Sequence, residues 1–101
     1  MKAFAGFPAG SVRSTPIPDL FFSGLLAQID DLAELKVVLH CFWVLQRKEG
    51  FPRYLSRPEL EGDATLLRGL HFGEAPPERI LAGALERAVE RRVLLCLALD
   101  A

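Results

Sequence analysis

Asp31-Leu32-Ala33-Glu34-Leu35-Lys36-Val37-Val38-Leu39-His40-Cys41-Phe42-Trp43-Val44-Leu45-Gln46-Arg47-Lys48 is the longest uninterrupted periodic stretch of this chain. Leu35, Val38, Leu39, Phe42 and Leu45 repeat at helical spacing, and Val37, Cys41 and Val44 form a second apolar strip beside them. Asp31 and Glu34 have the spacing of a capping box at its start, with Asp in the usual Ser/Thr role. Arg47 and Lys48 fall in its last turn, where cations suit the helix dipole, and Gly50 and Pro52 end it. A helix that is apolar over most of its circumference is either central to its domain or placed at an interface.

Upstream, Gly6, Pro8, Gly10, Pro16 and Pro18 keep residues 1–18 from forming a regular helix, so this segment reads as an extended lead-in. Residues 19–101 read as one domain. Asp19 then opens a first short helix, in which Phe22, Leu25, Leu26 and Ile29 share a face and Phe21 lies off it. Gly24 costs this helix about 1 kcal/mol relative to Ala, so it needs packing to persist.

Downstream, Arg53-Tyr54-Leu55 reads as a brief strand. Ser56 and Glu59 form a second capping box that opens a short helix ended by Gly62, and Asp63 caps another over 64–70. Pro76-Pro77-Glu78 starts a long helix over about 77–91, with Ile80, Leu81, Ala84, Leu85 and Ala88 on its buried side. Val93-Leu94-Leu95-Cys96-Leu97-Ala98-Leu99 is apolar throughout and reads as a buried strand, with continuation of the helix as the competing assignment. The expected fold is therefore mostly α. From the second helix onward the element order is that of a winged helix-turn-helix, with an extra N-terminal helix and a short β-hairpin.

Composition limits what such a domain does. A chain of 101 residues supports one core, and at 50% hydrophobic and 25% charged residues it is not disordered. The positive mean hydropathy leaves apolar surface for a partner to cover. A net charge of −1 gives no bulk attraction to nucleic acid or anionic membrane. Cys41 and Cys96 both sit in apolar runs and read as buried thiols of a reducing compartment. Gly and Pro interrupt the N-terminus before a secretory stretch develops, and the run Val37 to Leu45, broken only by His40, is about half a membrane-spanning length. A cytoplasmic protein that does not engage membranes is expected.

Catalysis is not expected. His40 and His71 make no metal-ligand spacing with either cysteine, and adjacent His40 and Cys41 point about 100° apart on a helix. No phosphate-binding or nucleophile-elbow motif occurs, so neither cofactor nor metal is expected. Candidate DNA contacts are Arg79, Arg87, Arg91 and Arg92 on and after the long helix, with Arg53 near the strand. Glu78, Glu86 and Glu90 interleave with them and would face phosphates, which favours a charge-balanced surface in which Arg87 pairs with Glu90. Candidate protein-contact residues are Ile17, Phe21, Phe22 and Trp43, the last falling between the two apolar strips of the second helix.

The run Ser11-Val12-Arg13-Ser14-Thr15-Pro16-Ile17-Pro18, Phe21-Phe22, and Ile29-Asp30-Asp31-Leu32-Ala33-Glu34-Leu35-Lys36-Val37 followed by Phe42-Trp43 resembles the N-terminal winged-helix region of bacterial DnaD-like replication proteins. Gly50-Phe51-Pro52-Arg53-Tyr54 and Leu66-Leu67-Arg68-Gly69-Leu70 are in keeping with it, and the likeness runs over residues 4–99. The resemblance implies a part in primosome assembly, with homo-oligomers formed through the lead-in and the extra helix. It also implies replication proteins as partners and at most weak DNA contact, since in that family a separate C-terminal domain carries most of the DNA binding. This sequence has no such domain, and it stops at Leu99-Asp100-Ala101, where a winged helix sends back a second hairpin strand. A fragment, a wing completed by another chain, and a last run that is not a wing strand are all compatible with that ending. The alternative function is a transcription regulator that reads duplex DNA with the same arginines.

Overall fold

The computed structural model describes residues 4–48 and 55–91, and within them the chain is mostly helical with no strand. Four α-helices follow one another: α1 (Leu32–Arg47), α2 (Arg57–Glu61), α3 (Ala64–Arg68) and α4 (Pro77–Glu90). The principal contact is α4 along α1, and α3 touches both. The strand expected at residues 53–55 falls outside the described residues except for Leu55, which is buried in the core. The run 93–99 lies outside them altogether, so the hairpin is a feature of the sequence reading only.

Three of the four α-helices begin at a side-chain cap, and α4 begins at Pro76-Pro77 without one. Asp31 Oδ2 accepts from the Glu34 amide at 2.8 Å, and Asp63 Oδ1 accepts from the Leu66 amide at 3.1 Å. Ser56 and Glu59 complete a full capping box: Ser56 Oγ accepts from the Glu59 amide while Glu59 Oε1 accepts from the Ser56 amide. The reciprocal half of the box expected at Asp31 does not form, because the Glu34 carboxylate bonds to α4 instead. Gly73, at φ +64, takes the left-handed turn that redirects the chain toward α4, a conformation that costs a side-chain-bearing residue strain.

Two apolar clusters meet on α1. Ala33, Val37 and Cys41 enter the larger one with Leu55, Leu60, Leu66, Leu70, Leu81, Ala84 and Leu85. Val38, supported by Leu35 and Phe42, joins a smaller one with Phe21 and Ala88. Leu39, which sequence spacing groups with Val38, is instead on the solvent side, while Leu45 packs against the larger cluster. With about 100° between successive residues, Val38 and Leu39 cannot both face a narrow N-terminal segment.

That N-terminal segment is not the α-helix the sequence predicts. Phe21–Leu25 is wound as a π turn, closed by the Leu26 amide on the Phe21 carbonyl, and Leu26–Gln28 tightens into a 3-10 turn. Gly24, a poor helix former, sits at the π turn. Residues four apart share a face, as on any helix of nearly four residues per turn. Phe21, Leu25 and Ile29 pack on the smaller cluster, so of the expected stripe Leu25 and Ile29 are in place while Phe22 and Leu26 face solvent. Phe21 is 4% exposed and Phe22 is 58% exposed, the reverse of the sequence reading. Ile17 extends the same cluster from the lead-in.

This inversion has a direct consequence for stability. Phe21→Ala removes a ring that contacts Phe42 edge-on at 6.0 Å between centroids, and the expected cost is about 3 kcal/mol or more. Phe22→Ala is expected to cost less than about 1 kcal/mol. Urea unfolding of the two variants, compared at equal and low protein concentration, reads the difference directly. A larger effect at Phe22 would mean the N-terminal segment packs in the other register.

Candidate interaction surface

The nine side chains singled out from sequence separate into distinct groups. Ile17 and Phe21 are consumed by the chain's own smaller cluster. Phe22 and Trp43 reach solvent, Trp43 at 40% exposure. Trp43 lies on the outward arc of α1, in the gap between the two buried strips, and shares that arc with Leu32 and Leu39. Arg47 is stacked over the Trp43 ring at 4.8 Å, and His40 lies 5.4 Å from it on the other side.

The arginines divide as well. Arg79, in the first turn of α4, is exposed. Arg87, further along the same helix, and Arg91, its C-cap residue, turn toward the N-terminal end of α1. Arg87 Nη2 donates to Asp31 Oδ2 at 2.9 Å, replacing the expected pairing with Glu90. Arg91 Nε donates to Glu34 Oε2 at 2.6 Å and keeps a longer contact with Asp30 at 3.7 Å. Arg53 and Arg92 lie outside the described residues.

Glu34 is fully buried, and its partner is therefore a requirement of the fold. A carboxylate taken out of water costs several kcal/mol unless an opposite charge and hydrogen bonds replace its hydration. Arg91 supplies the charge and one hydrogen bond, to Oε2, while Oε1 is buried without a partner. The sequence carried a readable sign of this junction: acids at 31 and 34 share one face of α1, and arginines at 87 and 91 share one face of α4. Which two faces meet was not readable.

His40 and Asp63 form the second polar link to α1. His40 Nε2 donates to Asp63 Oδ2 at 2.7 Å while Oδ1 caps α3. Burial pushes the Asp63 carboxyl up, but the His40 hydrogen bond and the backbone amides of Leu66 and Thr65 outweigh it and hold the group below its ordinary value. This pair ties α3 to α1. Its sequence neighbour Cys41 faces the core, and burial pushes that thiol up to about 12. His40 and Cys41 therefore diverge, as their adjacency on a helix requires.

Among the described residues no group of three His, Cys, Asp or Glu is placed to hold a metal ion, and no described helix is long and apolar enough to cross a membrane. Comparison of the chain with protein-family models, curated proteins and solved structures gives no match.

Two expectations follow from the junctions. Arg91→Ala leaves Glu34 buried and unpaired, so it should destabilise by about 3 kcal/mol or more, and adding Glu34→Leu should recover most of that loss in urea titrations. Equal losses in the single and double variants would show that the ion pair is not the cause. Because the Asp63 pKa is lowered in the fold, its contribution is present above the unfolded value near 3.8 and is lost as pH falls through the folded one. Asp63→Asn keeps the cap but should flatten the acid limb of the stability–pH curve, as followed by thermal melts.

Proposed function

We propose that this chain is a non-catalytic helical interaction module that works by self-association. In this reading it resembles the N-terminal winged-helix domain of DnaD-like replication proteins and acts in primosome assembly at replication initiation. The observation that carries the reading is the set of large apolar side chains left in solvent on the first half of the chain. Leu20, Phe22, Leu26, Leu32, Leu39 and Trp43 are all exposed, although the chain has an adequate core of its own. Scattered single apolar residues need no explanation, but a helix segment and its neighbour that both present them mark a contact surface.

The charge arrangement supports the same reading. A helix that reads duplex DNA needs its cations free to neutralise phosphates. Arg87 and Arg91 are spent on Asp31 and Glu34, and Glu78, Glu86 and Glu90 are exposed on the same helix. The element order keeps the winged-helix topology as the finer fold assignment, with 53–55 and 93–99 as the runs that would pair as the wing. The second reading, a transcription regulator, draws on the exposed Arg79 at the start of α4.

Light scattering over a concentration series distinguishes them. A self-associating module gives a stable dimer or larger species that Phe22→Ser weakens and Arg79→Glu leaves intact. A monomer at high concentration that binds one duplex site, with affinity falling steeply in salt and abolished by Arg79→Glu, would replace this reading with the regulator.

A further inference from the structure

We draw no further inference here: the strongest candidate, the exposed apolar arc that Leu32, Leu39 and Trp43 form along α1, carries none because nothing in the structure shows what covers it.

Discussion

Packing of α4 along α1 is the constraint from which the rest of the molecule follows, and the Glu34–Arg91 ion pair fixes its register. Apolar surfaces alone allow two helices to slide by a turn at small cost, since Leu, Ala and Val contacts are individually weak and undirected. A buried carboxylate does not allow that. It tolerates only the placement in which the guanidinium reaches it, and the more exposed Arg87–Asp31 pair one turn away is compatible with the same register. With α4 fixed, Ala88 is carried to the side where Phe21 and Val38 meet it, so the N-terminal segment gains its seat from the same register.

The same constraint shapes the surface. Acids that cap and flank the start of α1 are neutralised by α4, which removes two arginines from the pool that a nucleic acid could use. What remains outside is an apolar arc on α1, edged by Arg47 beside Trp43, and an N-terminal segment that turns Phe22 outward. Stability and recognition are thus connected by one network: the residues that hold the core together determine which charges and which apolar side chains are left over.

Where sequence reasoning departed from the structure, a local winding or a distant partner was responsible. The N-terminal stripe was placed on Phe22, Leu25, Leu26 and Ile29, and the segment, wound as a π turn and a 3-10 turn, buries Phe21 in place of Phe22 while keeping Leu25 and Ile29. Leu39 was grouped with Val38 because helical spacing alone does not say how many neighbours a helix has. Arg87 was assigned to Glu90, a neighbour in sequence, when its partner lies 56 positions away.

The sequence by itself determined where the α-helices begin and that α1 is central. Ser56 with Glu59, Asp31 and Asp63 cap their helices through side chains three residues from the amides they serve, and so local an interaction is written in the spacing. The buried face of α4 was likewise legible, because its period of 3.6 residues separates Leu81, Ala84, Leu85 and Ala88 from the charged side. Only the tertiary structure decided which apolar strip of α1 stays in water and which arginines are spent inside. Both depend on what packs against a helix from elsewhere in the chain, and periodicity carries no record of that neighbour.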